Sequence, residues 1–465
     1  MQIRQTGTSV AKSPNRQVAL LVTTIASFLT PFTVSAIAIA LPSIGDELKM
    51  NAIMLGWVAT AFLIAGGVLV VPIGKIADIY GRKRIFIYGM FTYTAASILL
   101  ALSNSAAMLI SLRVLQGIGG AMIFSTVIAI LTSAFPPKER GRVLGINAAV
   151  TYAGLSLGPF VGGLLTHYLS WRSIFWVNAL LGLLTIALIF WKFEGEWAEA
   201  KGEKFDIAGS IIYALMLIAI MYGLTILPQI LGAGLIIAGI LGIVAFVKWE
   251  NRVKHPVLDM SLFRNNTLFA LSNLAALINY SATFAVAFLL SLYLQYIKGL
   301  TPQIAGLVLV AAPLMQVIFS PFAGRLSDKI EPGIVASAGM ALTVIGLILF
   351  AFLRAATSLW LIVASLVILG LGFAFFAAPN TNAVMGSVDK KSYGVASAVL
   401  STMRQTGMML SMGIVMVLFA IYIGRVQITP EYYAPFLKSV NIAFIIFAVL
   451  CFGGIFASLA RGKVR

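Results

Sequence analysis

Fourteen apolar stretches divide the chain, at about residues 18–42, 53–73, 85–102, 106–134, 143–166, 173–191, 207–227, 230–247, 267–296, 304–323, 333–353, 358–385, 394–423 and 439–460. Each is long enough to cross a bilayer as a helix, which takes about 20 apolar residues for a hydrocarbon core about 30 Å thick. All 15 carboxylates fall in loops or at helix ends, so no expected span contains an Asp or Glu. The chain is 60% hydrophobic and 10% charged, where soluble domains average about 25% charged residues. A soluble enzyme is excluded, and the pattern predicts an all-α polytopic membrane protein.

The 32 basic residues against 15 acidic ones give a formal charge of +17. In a soluble domain that excess would suggest nucleic acid; here it reads as topology, and no nucleic-acid partner is expected. With both termini in the cytoplasm, 24 basic residues fall in cytoplasmic segments and six outside: Lys49, Arg172, Lys298, Arg354, Arg425 and Lys438. That distribution obeys the positive-inside rule and places the protein in the cell membrane. The remaining two, Arg113 and Arg404, lie inside spans. A single Cys451 and two separated histidines, His167 and His255, predict no disulfide and no metal cluster. Met1–Gln17 is polar and leads into a run too long for a signal-peptide core, so no cleaved leader is expected.

Sliding the halves past each other exposes a repeat. Gly74–Asp78 matches Gly324–Asp328 at an offset of 250, while Gly117 and Gly119 match Gly370 and Gly372 at 253, as Gly141 and Gly154 match Gly394 and Gly407. The expected organisation is a cytoplasmic tail (1–17), a six-helix bundle (18–191), an acidic linker (192–206), an inserted hairpin (207–249), a second linker (250–266) and a second six-helix bundle (267–465). Paired repeats with a site between them are the layout of secondary transporters.

Three motifs carry a family resemblance: Gly74-Lys-Ile-Ala-Asp78-Ile-Tyr-Gly81-Arg82-Lys83-Arg84 after the second span, Arg113-Val-Leu-Gln116-Gly117-Ile-Gly119-Gly120 in the fourth, and Gly154-Leu-Ser-Leu-Gly158-Pro159-Phe-Val-Gly162-Gly163 in the fifth. The chain resembles the major facilitator superfamily, and with Trp171–Asn178 and the stretch from Tyr293 to Gly306 it looks like the fourteen-helix drug–proton antiporter branch. The resemblance covers essentially the whole chain. It implies the major facilitator fold, alternating access, a small-molecule substrate, coupling to protons, no cofactor and a monomer in the bilayer.

Each motif also has a physical reading. Gly74 permits close helix approach, and Asp78 can accept from helix amides or from an Arg across a gate; with Gly81, Arg82, Lys83, Arg84 and the repeat partner Asp328 it forms a candidate gating latch. The basic cluster would also anchor at lipid headgroups. Arg113 lies about 10 Å into its helix, with Gln116, Gly117 and Gly120 on the same face. A buried guanidinium is expensive unless paired, which marks Arg113 and Gln116 as coupling or substrate-binding candidates. Gly154, Gly158 and Gly162 recur every four residues, forming a packing groove that Pro159 bends, suited to a flexing interface between bundles. Arg404 sits about 15 Å deep, on a face with Ser397, Ser401, Met408 and Ser411 and beside Gln405, and should meet a cavity. Asn279, Tyr280 and Thr283 share a stripe with Ser272; Asn147, Thr151, Tyr152, Asn380 and Asn382 complete the cavity candidates.

Many members of the resembled branch carry an Asp before an Ala-Leu-Pro in the first helix. Aligning on Ala40-Leu41-Pro42 puts Thr33 at that position. Two embedded arginines without embedded acids predict an electropositive cavity that prefers anions, weak acids or neutral lipophiles over cations. The expected function is export of small lipophilic or anionic compounds by a proton-coupled secondary transporter. The proton would ride on the substrate's own acid group, or on Asp78, Asp46 or Glu47. Organic-anion uptake on the same fold and a non-transporting sensor or lipid-handling protein are the alternatives. No catalytic triad, phosphate loop or metal-ligand set appears, so neither an enzyme nor an ATP-driven pump is expected.

Overall fold

The computed structural model describes residues 16–254, 256–258, 260–264, 266–389 and 393–462. His255 and most of the expected N-terminal tail lie outside the described residues. Fourteen helices in these residues are long and apolar enough to cross a membrane, and they are numbered here in chain order. The first bundle holds spans 1 (Arg16–Glu47), 2 (Ala52–Tyr80), 3 (Arg82–Ala101), 4 (Ala106–Ala134), 5 (Glu139–Tyr168) and 6 (Arg172–Lys192). Spans 7 (Ile207–Ile226) and 8 (Ile230–Glu250) form the hairpin. The second bundle holds spans 9 (Thr267–Ile297), 10 (Pro302–Ser327), 11 (Pro332–Ala351), 12 (Leu359–Gly386), 13 (Val395–Tyr422) and 14 (Pro430–Ala460).

The internal repeat is physical. Span 1 packs on 5 and 6, span 4 on 2 and 3, and span 3 on 6; spans 9 to 14 repeat those pairings with eight added to each number. The matched glycines mark the same crossings. A Cβ on Gly117 would lie 2.5 Å from the Phe62 carbonyl oxygen, and one on Gly370 would lie 2.3 Å from that of Ala312. Phe62 and Ala312 are themselves related by the 250-residue offset. Any side chain at either glycine forces two helix backbones apart.

Several boundaries differ from the sequence expectation. The stretch 74–84 is not a loop: span 2 runs to Tyr80 and span 3 starts at Arg82. Only Gly81 breaks the helix, at φ 119°, a conformation reserved for glycine. Span 1 continues through Pro42 to Glu47 rather than stopping at 42. Span 9 is interrupted after Thr283 and ends in a π-helical turn, Tyr293–Ile297. A one-turn helix, Ser261–Arg264, lies in the segment read as linker.

The hairpin sits on the seam between the bundles. Tyr213 of span 7 donates to the Gly67 carbonyl of span 2 at 3.1 Å, and Leu224 and Met221 lie against Gly413 of span 13. Span 8 is mostly exposed, with Ile237, Leu241 and Val244 facing outward as a lipid-facing helix would. The bundles themselves are clamped at one end, the end carrying Lys49. There Ser291 donates to the Ala38 carbonyl at 2.5 Å and Gln295 to that of Ile39 at 2.9 Å. The Ala52 amide donates to Val426 at 2.9 Å, and Gly163 and Gly306 lie against the backbones of Pro302 and Pro159. At the opposite end Gly141 and Gly145 of span 5 have nothing within 4 Å of where a side chain would start.

Candidate functional site: a cavity between the bundles

Behind the clamped end lies a cavity of about 160 Å³, smaller than the roughly 300–1,000 Å³ usual for small-molecule sites. Spans 1, 2, 4 and 5 supply one wall and spans 9, 10, 12 and 13 the other. The wall is aliphatic and aromatic except at Ser35, Arg113, Thr283 and Gln316. No carboxylate lines it among the described residues.

Arg113 is 1% exposed and held from three sides. Its Nε donates to the Val58 carbonyl at 2.9 Å and its Nη1 to Gln116 Oε1 at 2.5 Å. The guanidinium stacks over the Phe62 ring, 4.5 Å from the centroid. Gln116 Nε2 in turn donates to Ser97 Oγ at 2.9 Å. The polar face expected of span 4 is thus a chain of hydrogen bonds that fixes the cation at the cavity wall. Pro159 and Thr283 also line the cavity.

Arg404 is placed elsewhere. Its Nη2 donates to Thr381 Oγ1 at 2.6 Å, and its guanidinium lies 5.6 Å from the centre of the Tyr280 ring. It is half-buried and not among the cavity-lining residues. Gln405 reaches across the seam to Gly66 of the first bundle. Ser401, Thr151 and Tyr152 are half-buried residues outside the cavity wall.

Four cavity candidates face inside a bundle instead. Thr33 is fully buried, with Oγ1 at 2.7 Å from the Leu29 carbonyl, 2.6 Å from Asn178 Oδ1 and 2.7 Å from Tyr93 Oη. That position of span 1 points at spans 3 and 6, away from the seam. Asn147 accepts from Ser27 at 2.7 Å. Asn279 lies against Cys451. Asn380 donates to the Ser272 carbonyl at 3.1 Å and accepts from Arg461 at 2.8 Å; its neighbour Asn382 donates to Ser327 Oγ at 2.6 Å.

The glycine motif of span 5 also differs from expectation. Gly154, Gly158 and Gly162 receive Phe28, Ser35 and Ala36 of span 1, so the groove serves packing within one bundle. The close approach between bundles falls on Gly163 and Gly306. Gly74 is no tight crossing either, since an added Cβ would meet Ser125 only at an ordinary 3.7 Å.

At the end opposite the clamp, Asp78 accepts from Arg82 Nε at 2.7 Å, and Arg82 also binds Ser133 and both oxygens of Glu199. Glu203 pairs with Lys75 at 2.7 Å and Glu196 lies 3.7 Å from Arg84. The Lys83 amide donates to Glu196 at 2.9 Å, and its ammonium reaches the Phe193 carbonyl. The candidate latch is therefore held by the acidic linker of its own half, while Asp328 is exposed beyond span 10. Opposite charge on two neighbouring segments was the available signal for this docking. Gln316, Ser35 and the buried Arg461 carried no such signal, because single polar residues in or beside apolar runs do not declare which way they face.

A family model described as Major Facilitator Superfamily matches residues 23–247 and 272–463. The chain belongs to the Major Facilitator Superfamily. It is 29% identical over 441 residues to the riboflavin transporter RibZ of Clostridioides difficile, covering 94% of this chain and 96% of that one. It is 30% identical to the multidrug resistance protein Stp of Mycobacterium tuberculosis, covering 83% and 73%. The tetracenomycin C resistance and export protein of Streptomyces glaucescens is 27% identical, covering 88% and 76%. These relatives place the chain with the drug-efflux branch, as an integral membrane transporter rather than an enzyme. A bacterial Spinster homologue crystallised inward-facing superposes with a TM-score of 0.67 at 16% identity, covering 98% of both chains, which shows the shared fold.

Proposed function

We propose that this chain is an alternating-access exporter of small lipophilic compounds that are neutral or anionic, driven by the proton gradient and acting as a monomer. The observation that carries the reading is the cavity between the bundles, whose one charged lining group among the described residues is Arg113. A fixed cation without a carboxylate partner repels a lipophilic cation and attracts an anion or a carbonyl dipole. Charge balance puts the 74–84 end in the cytoplasm. The cavity is then sealed from the outside by the clamp, the state in which an exporter receives its load. No acid lines the cavity among the described residues, which supports a proton carried either by a weakly acidic substrate or by Asp46, Glu47 or Asp78 at the helix ends.

Transport into inside-out and right-side-out vesicles under an imposed pH gradient tests this. Export predicts proton-dependent accumulation of anionic or neutral compounds in inside-out vesicles. Accumulation in right-side-out vesicles alone would mean uptake, and preference for cations would refute the charge assignment.

A further inference from the structure

The four polar side chains of the cavity do not offer the same hydrogen-bonding capacity, and the difference points to a substrate class. Ser35 Oγ, at the cavity edge of the groove over Gly158, already donates to the Pro31 carbonyl at 2.8 Å, and Thr283 Oγ1 to that of Asn279 at 2.8 Å. A hydroxyl has one hydrogen, so toward a ligand both present lone pairs only. Arg113 is a donor with no acceptor capacity, and two of its N–H groups are committed to Val58 and Gln116. Gln316 has no hydrogen-bond partner among the described residues, though it stands in an otherwise apolar stretch of span 10 and lines the cavity. Gln316 is half-buried, so its amide offers both a donor and an acceptor to a ligand in the cavity.

We propose that Ser35, Thr283 and Gln316 act with Arg113 as specificity-determining residues, selecting planar carbonyl compounds that carry their own N–H or O–H donor. Carbonyl oxygens of the ligand accept from Arg113 and Gln316. Its donor points at Ser35 or Thr283, and its ring body lies on the apolar wall formed by residues such as Leu41, Phe284, Phe288 and Leu366. An imide, with an N–H between two carbonyls on a fused ring system, is the simplest molecule with that order of groups. A planar amine cation offers donors where the cavity has donors, and its charge opposes Arg113. The inference rests on the transport reading only for its claim that the cavity is the substrate site.

The test uses the full chain, purified, with three fluorescent probes of similar size: 1,8-naphthalimide, N-methyl-1,8-naphthalimide and 9-aminoacridine. The unmethylated imide should bind about tenfold more tightly than its N-methyl analogue, the worth of one neutral hydrogen bond. The double variant Ser35→Ala/Thr283→Val should bring that ratio close to one, and an unchanged melting temperature shows that the variant is folded. Gln316→Leu should weaken both imides about equally, and 9-aminoacridine should bind less well than either. Equal binding of the two imides, a ratio unaffected by the double variant, preference for 9-aminoacridine, or no imide binding up to the solubility limit would each overturn the proposal. Flux of the same probes in proteoliposomes separates the two readings. The expected binding pattern without translocation sinks transport and keeps the recognition code, whereas proton-driven movement of 9-aminoacridine in preference to the imides does the reverse.

Discussion

Arg82 and Glu199 form a two-pronged ion pair, with Nη1–Oε1 at 2.7 Å and Nη2–Oε2 at 3.0 Å. The Arg82 side chain is 8% exposed and that of Glu199 is 65% exposed, so the pair joins a buried anchor on the first bundle to a surface residue of the linker. Glu199→Gln should therefore cost only about 0.5–1 kcal/mol, as surface pairs do. Arg82→Ala also strips Asp78 and Ser133 of their donor and should cost about 2 kcal/mol. Thermal unfolding in detergent checks both. Equal losses would mean that the linker, not the corner beneath it, carries the stability.

The same pair has a pH signature. The hydrogen bonds from Arg82, with Ser133 and nearby Arg140 assisting, hold the Glu199 carboxyl below the usual carboxylate range despite partial burial. A group whose pKa is depressed by folding contributes stability above its unfolded value, about 4.3 for Glu, and loses it as pH falls through the folded value. The stability difference between wild type and Glu199→Gln should stay constant from neutral pH down to about 5 and shrink below about 4. A difference that instead shrinks between pH 8 and 6 would rule out this carboxylate as its source.

Gly81 turns the chain between spans 2 and 3 at φ 119°, with the Glu196 carboxyl carbon 2.6 Å from where a Cβ would sit. Gly81→Ala should destabilise by about 1–3 kcal/mol from backbone strain, with displacement of Glu196 in addition. If Gly81→Ala in a Glu196→Ala background is as stable as Glu196→Ala alone, strain is not the cause.

Fourteen spans, the repeat and the embedded Arg113 are legible in the sequence because each depends on composition or spacing along one helix. The matched glycines 117 and 370 are readable for the same reason: the repeat demands the same backbone crossing twice. What a residue faces is set by how helices rotate against one another, and that is not local. Thr33 reads from the sequence as a cavity position, yet it turns toward Tyr93 and Asn178 inside its bundle. Asn380 looks like a cavity residue until Arg461, from beyond the last span, reaches back to it.

Arg461 is 3% exposed and ties together spans 9, 11, 12 and 14. It donates to Ser272 at 3.2 Å, Asn380 at 2.8 Å, Ser458 at 3.0 Å and the Gly333 carbonyl at 3.3 Å. Arg461→Ala leaves these acceptors without their donor and should cost about 3 kcal/mol. Arg461→Lys, a point donor in place of a fork, should recover less than half of that. Full recovery with Lys, read from the melting temperature, would show that charge rather than fork geometry matters.

The clamp between bundles predicts a different kind of effect. At Gly306 an added Cβ would lie 2.1 Å from the Pro159 carbonyl oxygen, across the seam. At Gly117 the obstruction lies inside one bundle. Gly117→Ala must break packing that exists in every state of the transport cycle, so it should lower the melting temperature. Gly306→Ala strains only the state in which the seam is shut at this end, so it should shift the population toward opening there with a smaller loss of stability. Cys451 is fully buried, so Ala287→Cys places one accessible thiol in the cavity. A membrane-impermeant maleimide applied from the clamped side should label it several-fold faster in the Gly306→Ala background than with Gly306 intact. Unchanged labelling, with the melting temperature falling as far as in Gly117→Ala, would show that this crossing is a fixed part of the fold and not a seam that opens.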